Sequence, residues 1–425
     1  MAFTGSLAAI WLSAFLFVIL LCVMVVSLSL SSKSERVTLK DHTILRIDLS
    51  GPIEERQTVG KLLDELYGLE QKKEKLALNQ IVNSIIKAAD DKSIDGIYIN
   101  CAGSSAGIAS RCEIVNAIKL FKKSGKWVVA YGDYYSQGDY LVASAADSVF
   151  VNPEGIVEVS GLSSTVLFFK NLLDKIGVEA QVIKVGTYKS AVEPFILDGM
   201  SEASREQTVG YVNGIWNTLT PIISKNRGVA VADVNNWADS LCVTWSSEEL
   251  IKHRIVDDTV YRHEIEDILA EKSGRDSRDD LRFITPAQYA EVRDIYKNED
   301  NSHRIAVLYA VGDIVDTGND GISAETIVPE ILDLADDDDI AGLVLRVNSG
   351  GGSAFASEQI WEALEQFKAT GKPFYVSMGD VAASGGYYIS CGADRIYASE
   401  QTLTGSIGIF GIIPCVKTLL NDKIG

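Results

Sequence analysis

The sequence predicts an α/β fold that consists of two tandem repeats of strand–turn–helix units, preceded by one N-terminal transmembrane helix. Three observations predict it: an internal repeat, an alternation of apolar strands with amphipathic helices, and an uncharged apolar stretch at the N-terminus. Strands that alternate with helices are expected to pair in parallel, with crossovers of one hand. A chain of 425 residues also exceeds one ordinary core, so at least two domains are expected.

The N-terminal stretch is the first predicted element. No charged side chain occurs from Ala2 to Ser32, and the apolar run Leu7–Leu30 would reach about 36 Å as a helix, against a hydrocarbon core of about 30 Å. We therefore predict a membrane anchor at residues 1–32. A cleaved signal peptide is the alternative, since small residues at Ser27–Ser29 are typical of a cleavage site. Basic residues follow the stretch and none precedes it, so the positive-inside rule places the rest of the chain in the cytoplasm.

The repeat predicts the elements that follow. Residues Ile94–Val151 align by eye with Ile340–Ala398, with a slip of one residue between them. Each copy begins with a short apolar strand, Gly96–Cys101 or Gly342–Val347. A turn of small residues comes next, and then a helix whose apolar residues are three and four positions apart.

The second copy shows the limits of these elements. Its first helix is predicted to begin near Ala354 and to end before Gly371, with an apolar stripe of Ile360, Ala363, Leu364 and Phe367. A strand at Phe374–Met378, a helix that opens near Ser384 and the strand Arg395–Ser399 complete it. Between the copies, residues 196–300 are richer in helical pattern, and Asn298–His303 is the predicted linker. The predicted domains are therefore 41–297 and 303–425.

Composition argues against two classes of function. A formal net charge of −19 without a basic stripe argues against nucleic-acid binding, so peptides or small molecules are the expected partners. Six cysteines without CxxC spacing predict free thiols rather than a metal site. The acidic run Asp336–Asp339 is typical of a solvated turn rather than a cation site. We predict neither a metal nor a cofactor.

A glycine-rich turn, "NSGGGS", occupies Asn348–Ser353 at the start of a helix. Its glycines allow the backbone to approach a ligand closely, and free amides at a helix N-terminus attract negative charge. The turn matches neither GxGxxG nor the P-loop pattern with its lysine, which disfavours a nucleotide. An oxyanion is the better candidate for what these amides bind.

Ser384 lies in a similar turn, "GDVAASGGYYIS". Its small neighbours allow a tight bend from strand to helix that exposes the hydroxyl, as a nucleophile requires. A serine in this position is also typical of a helix N-cap. The first copy has Gln137 at the matching position and Ala102–Gly107 in place of the glycine run. This difference favours a nucleophile in the second copy alone.

A nucleophilic Ser384 needs a base to take its proton, and no histidine with a recognisable catalytic motif occurs in the sequence. The four histidines lie beside charged or linker-like segments: His42, His253, His263 and His303. A neutral lysine serves as a base when burial lowers its pKa. Lys189, in "VGTYKSAVEPF", is the candidate, and an ordinary exposed lysine is the alternative.

Four ordered motifs resemble the signal peptide peptidase A family in its long, internally duplicated bacterial form. They are "TYKSAVEPF", "NSGGGSAFASE", "VAASGGYYIS" and "LTGSIGIFG", and the resemblance extends from about Leu45 to the end of the chain. It implies ClpP/crotonase-like repeats and a Ser/Lys dyad, with Ser384 as nucleophile and Lys189 as general base. Ser406 would orient the lysine, and the amides of Gly351 and Gly385 would form the oxyanion hole.

The resemblance also implies a biological setting. Such an enzyme is a membrane-anchored serine endopeptidase that degrades remnant signal peptides and other extended apolar peptides. A single helix holds it in the cytoplasmic (inner) membrane with its catalytic body on the extracytoplasmic side, and members assemble as homo-oligomers, often tetramers. This orientation opposes the one that the charge rule gives, and we follow the family.

Two departures from the family pattern and two rival functions accompany this interpretation. Gly350 stands where the family usually has proline. The second copy ends at Gly425, which matches Gly177 of the first, so the chain resembles a C-terminally truncated fragment of the long form.

Two other functions are alternatives to this interpretation. One is a crotonase-like acyl-CoA enzyme on the same architecture, and the other is a non-catalytic membrane scaffold.

Overall fold

The computed structural model describes residues 39–56, 76–292, 303–318 and 321–425. The predicted anchor at residues 1–32 and most of the predicted linker Asn298–His303 lie outside these residues. Among the helices that are described, none has the length and apolar character needed to cross a membrane.

A parallel sheet organises the first unit of the protein, by which we mean residues 39–292. Its leading elements alternate along the chain: β1 (Thr43–Glu54), β2 (Leu76–Ala77), α1 (Leu78–Asp90), β3 (Ile94–Ser105), α2 (Ile108–Lys122), β4 (Trp127–Tyr135), α3 (Gln137–Ala143) and β5 (Ser148–Val157). The strands β1, β3, β4 and β5 lie side by side and pair in parallel. This is the arrangement that alternating strands and helices predict.

The region between the two predicted copies is largely helical, as its sequence pattern indicates. It contains α4 (Lys170–Ile176), β6 (Glu179–Lys184), α5 (Glu193–Ile196), α6 (Glu202–Arg227), α7 (Val231–Asp239), α8 (Ser247–Lys252), β7 (Asp258–Thr259), α9 (Arg262–Lys272), β8 (Phe283–Ile284) and α10 (Pro286–Glu291). Strand β7 pairs with β5, and β8 pairs with β1. Buried Ile265 and Leu269 of α9 pack on Tyr98 and Val129, so this region covers the second face of the first sheet.

The second unit, residues 303–425, is built on another parallel sheet. Its elements are β9 (Arg304–Val311), β10 (Ile314–Val315), β11 (Ile322–Ser323), α11 (Ala324–Asp336), β12 (Ile340–Ser349), α12 (Ala354–Ala369), β13 (Phe374–Ala383), α13 (Gly385–Tyr388), β14 (Arg395–Tyr397), β15 (Leu403–Gly405) and β16 (Phe410–Cys415), followed by a π-helical turn at Leu419–Ile424. The strand order is β14-β13-β12-β9, and β15 also pairs with β13. The α/β class with parallel sheets is confirmed, whereas the internal duplication and the domain limits stay predictions.

Helix α12 follows its prediction closely. The four apolar residues of the predicted stripe are all buried: Ile360, Ala363, Leu364 and Phe367. Full burial of a large apolar side chain contributes about 1.5–3 kcal/mol, so this stripe anchors α12 to the second sheet. Gly371, just beyond the helix, has φ +84°, the left-handed conformation that glycine adopts without strain.

Strand β13 differs from its prediction, since it continues to Ala383 rather than ending at Met378. Its pairing with β12 is interrupted by a bulge: Val347 faces Met378, but Ser349 already faces Ala382. The residues inside the bulge include Gly379 and Asp380, which break the apolar alternation that marks a strand. The sequence pattern therefore stops before the strand does.

The two units are also joined by a short antiparallel sheet. Strand β16 of the second unit pairs with β6 of the first, with Phe410 opposite Lys184 and Cys415 opposite Glu179. The segment that follows β6 therefore lies against the second unit. That segment carries Lys189.

Candidate active site

Ser384 lies at the sharp bend between β13 and α13. Its φ is +53° and its ψ is −116°, a strained combination for any residue other than glycine. The backbone amide of Ser384 donates to the carbonyl of Gly405 at 2.9 Å, which ties the bend to β15. A strained residue between a strand and a helix presents its side chain to the surface, as in the nucleophile elbows of hydrolases.

Lys189 meets this serine from the first unit. Although 195 residues separate them in sequence, Lys189 Nζ lies 3.0 Å from Ser384 Oγ. The same Nζ bonds to the carbonyl of Ser406 at 2.7 Å and lies 3.1 Å from its Oγ. The lysine is only 3 % exposed, and this burial lowers its pKa. The structure thus brings together Ser384, Lys189 and Ser406, and the alternative of an exposed lysine is wrong.

Contacts on both sides of Lys189 hold its backbone in place. The side-chain amide of Gln207, on α6, donates to the carbonyl of Tyr188 at 3.0 Å and to Ser190 Oγ at 2.7 Å. Buried Glu193 accepts from the hydroxyl of Ser201 at 2.7 Å and from its amide, and so fixes the turn into α6. Sequence reasoning missed Gln207, which has no motif. Glu193 was detectable as the second charged residue of "VGTYKSAVEPF".

The glycine turn lies directly against the Ser384 bend. Gly351 has φ +100°, and a Cβ added to it would lie 2.5 Å from the amide nitrogen of Gly385 and 2.8 Å from Ser384 Cβ. No side chain fits there, so glycine is required both by conformation and by space. The structure therefore brings Gly351 and Gly385 together beside the serine, as the resemblance implies.

The amide of Gly351 already has a partner in the structure. It donates to Ser349 Oγ at 3.1 Å, while Ile314 of β10 donates its own amide to the carbonyl of Gly351 at 3.0 Å. An oxyanion at the Gly351 amide would have to displace this hydrogen bond to Ser349. The contacts with β10 keep the rest of the turn fixed, because Ser353 N also donates to Ile314 O.

A cavity of about 540 Å³ opens next to the serine. It is lined by Gly352, Ser353, Ala354, Ser357, Ser384, Gly385, Tyr387, Tyr388, Cys391, Ile407, Gly408, Ile409 and Phe410. Most of these side chains are apolar or aromatic. Such a cavity accepts an apolar side chain, and the polar groups at Ser384 lie at its edge.

The position that the predicted repeat aligns with Ser384 is Gln137, in the first unit. The Gln137 side chain donates to the carbonyl of Gly161 and accepts from the amides of Ser160 and Gly161. Beside it, the buried guanidinium of Arg111 donates to Asp139 at 2.7 Å. A hydrogen-bonded glutamine, next to a buried ion pair, thus stands at this position in place of a serine.

Comparison with known proteins identifies the relatives of this chain. Residues 120–275 and 366–425 match Peptidase family S49. "Protease 4" of Salmonella typhi is 37% identical over 89% of this chain and 63% of its own length. "Protease 4" of Haemophilus influenzae is 35% identical over 97% of this chain and 69% of its own. "Serine protease SPPA, chloroplastic" of Arabidopsis thaliana is 30% identical over 79% of this chain and 50% of its own.

The chain spans less than two thirds of the Salmonella relative and half of the Arabidopsis one. The family match nevertheless includes the segments that carry both Lys189 and Ser384. The similarity to the Haemophilus protein extends over nearly all of this sequence. The chain belongs to peptidase family S49.

Proposed function

We propose that the protein is a serine endopeptidase with a Ser/Lys dyad, in which Ser384 is the nucleophile and Lys189 the general base. The observation that carries the proposal is the 3.0 Å approach of a buried lysine amine to a serine hydroxyl on a strained bend. Burial lowers the pKa of Lys189, because desolvation disfavours the charged form of the amine. The amine then loses its proton more easily and becomes the neutral form that a base needs.

The reaction begins with proton transfer. Neutral Lys189 takes the proton of Ser384 Oγ, and the oxygen attacks the scissile carbonyl carbon, which becomes tetrahedral. The amides of Gly351 and Gly385 hold the negative oxygen, once the Gly351 amide has left Ser349. Loss of one such donor typically costs about 2.7–4 kcal/mol of transition-state stabilisation.

The second half of the reaction releases both products. Lys189, now an ammonium, returns its proton to the leaving amine as the peptide C–N bond breaks, which leaves an acyl ester on Ser384. The neutral lysine then removes a proton from water, whose oxygen attacks the acyl carbon. The bond from this carbon to Ser384 Oγ breaks, the lysine returns the proton to Oγ, and the acid product leaves. Ser406 keeps the amine aimed at Ser384 throughout, through its carbonyl and its hydroxyl.

The proposed substrates are extended apolar peptides, with remnant signal peptides as the natural class. The apolar lining of the cavity beside Ser384 supports this choice. Strand addition next to the glycine turn would hold such a peptide by its backbone. We further propose that residues 1–32 anchor the enzyme in the cytoplasmic membrane with the catalytic body outside, and that it works as a homo-oligomer.

A fluorophosphonate probe at alkaline pH tests the proposal. The wild-type chain should take up label at Ser384, and Lys189→Ala should abolish it. Lys175→Ala, which removes an exposed lysine from α4, is the matched control and should label normally. Absence of label on an accessible Ser384 would reject the hydrolase and favour the scaffold. Turnover of acyl-CoA thioesters without turnover of peptides would favour the crotonase-like enzyme.

A further inference from the structure

A buried carboxylate from the first unit lies against the strand that carries Ser384. Glu55, directly after β1, is 6 % exposed. Its Oε2 accepts from Arg346 Nε at 2.9 Å, and Arg346 also bonds to Glu113 at 2.7 Å. Arg346 belongs to β12 of the second unit, so this ion-pair group joins the two units. Ion pairing alone does not account for all the contacts of Glu55.

The other oxygen of Glu55 holds an amide side chain. Asn348 Nδ2 donates to Glu55 Oε1 at 2.9 Å, and the backbone amide of Val381 donates to Asn348 Oδ1 at 3.1 Å. Val381 lies inside the bulge of β13, three residues before Ser384. The Asn348 side chain therefore supplies the hydrogen-bond acceptor for Val381 that the backbone of β12 does not supply within the bulge.

The chemistry of these groups fixes the direction of the chain of hydrogen bonds. An ionised carboxylate only accepts, so the NH₂ end of the Asn348 amide must face Glu55. Its carbonyl oxygen is then left facing Val381, whose amide needs an acceptor. Asn348 is also the first residue of the glycine turn, three residues before Gly351.

The Glu55 carboxylate also packs closely against the backbone of β13. A Cβ added to Gly379, the first residue after Met378, would lie 2.6 Å from Glu55 Oε1. The carboxylate thus lies directly on the backbone of the bulge. A displacement of Glu55 would reach both strands that lead to the active site, β12 and β13.

We propose that Glu55 is a positioning residue: it orients the Asn348 amide, and Asn348 then holds the β13 bulge so that Ser384 and the Gly351 turn keep their relative position. The effect on catalysis rests on the proposed function, whereas the chain of hydrogen bonds does not. A reaction that depends on a strained serine and a nearby amide is sensitive to small displacements of either.

Two readouts test this role. Hydrogen exchange at the Val381 amide reports on the bulge without any need for activity, and the maximal rate of fluorophosphonate labelling reports on Ser384. In Glu55→Ala, we expect faster exchange at Val381 and labelling slowed about tenfold or more. The probe concentration for half-maximal rate should change little, since Glu55 does not line the cavity.

Matched variants separate positioning from simple loss of stability. Glu113→Gln also removes a partner of Arg346 but leaves Asn348 alone, so it should lower thermal stability without changing either readout. Asn348→Ala keeps the Glu55–Arg346 pair and should reproduce both effects of Glu55→Ala. It also carries the test if Glu55→Ala does not fold. The double variant Glu55→Ala/Asn348→Ala should show the same exchange at Val381 and the same labelling rate as either single variant, because both substitutions break the same chain of hydrogen bonds.

The outcomes distinguish the two proposals. If wild-type protein takes up no label, the proposed function fails, and exchange at Val381 still decides the role of Glu55. If Glu55→Ala, or Asn348→Ala where that variant replaces it, shows wild-type exchange at Val381, the positioning role is overturned. Slow labelling in Glu113→Gln equal to that in Glu55→Ala would overturn it as well, since loss of the ion pair would then suffice.

Discussion

The proposed role of Lys189 as a general base depends on the loss of its charge. A protonated lysine cannot accept the serine proton, so activity should be lost as pH falls through the Lys189 pKa. Burial lowers that pKa from its usual value of about 10.4. We expect the labelling rate to rise with pH and to reach half its maximum below about pH 10.4. A pH profile of Ser384 labelling checks this, after subtraction of spontaneous probe hydrolysis, and a profile without inflection would contradict it.

Substitution of Ser406 tests how much each of its two contacts contributes to the position of the Lys189 amine. Ser406→Ala removes the hydroxyl 3.1 Å from Lys189 Nζ but keeps the carbonyl at 2.7 Å. Ser406 has φ +49°, and alanine carries the same Cβ, so the backbone strain is unchanged. Labelling should fall about tenfold, less than the roughly 10²-fold or greater loss expected when the base itself is removed. Equal losses in Ser406→Ala and Lys189→Ala would show that the hydroxyl is indispensable.

The residues of the proposed dyad have signatures in the sequence, whereas the residues that contact them do not. Ser384 and the glycine turn have local signatures, since small residues must surround a tight bend. Lys189 became a candidate only through its motif, because nothing local shows that it is buried. Gln207 and Glu55 act through folded contacts with backbone or amide groups. Such contacts leave no periodicity or spacing to detect.

At the scale of the elements, the pairing of β6 with β16 places Lys189 beside Ser384. At its edge, Val185 N donates to Ile409 O at 3.1 Å, and Gly408 has φ +128°. A Cβ on Gly408 would lie 2.5 Å from Val185 O, so only glycine allows this approach. The sequence does not predict this pairing, because two short strands so far apart in the chain show no pattern that matches one to the other.

Substitution at Gly408 should separate the dyad without unfolding either unit. We expect Gly408→Val to reduce Ser384 labelling to the level of Lys189→Ala, while thermal unfolding changes little, because this two-stranded sheet lies outside both main cores. Gly411→Ala is the matched control, since it lies three residues further along, inside β16, with open space at its Cβ. Normal labelling in Gly408→Val would show that the strand pairing is not needed to place Lys189.

The proposed mechanism requires the two units to stay docked, since each supplies half of the proposed dyad. Besides the Glu55–Arg346 pair, the boundary contains Asp380 of β13, which accepts from the backbone amide and hydroxyl of Ser110 at 2.9 and 2.5 Å. Ser110 is the third residue of α2. Asp380 therefore caps a helix of the other unit, where a negative charge is favoured by the helix dipole.

The cap leaves no room for a side chain on the facing helix end. A Cβ on Gly107, which precedes α2, would lie 2.0 Å from Asp380 Cγ. Glycine at this position lets the carboxylate reach the amides of the first turn. The boundary between the units is therefore built from specific polar contacts, and the sequence of either unit alone does not show their partners.

Loss of this cap should weaken docking and catalysis together. Removal of a helix N-cap typically costs about 0.5–2 kcal/mol, so Asp380→Ala should lower the free energy of unfolding by a similar amount and speed hydrogen exchange at the Ser110 amide. Asp338→Ala is the control: it removes the same charge from an exposed turn, and it should change neither the free energy of unfolding nor the exchange at Ser110. Because Lys189 and Ser384 lie on opposite sides of the boundary, we also expect slower labelling of Ser384 in Asp380→Ala. If Asp380→Ala and Asp338→Ala had the same exchange at Ser110, the carboxylate would not act as a cap, and docking would depend on other contacts at the boundary.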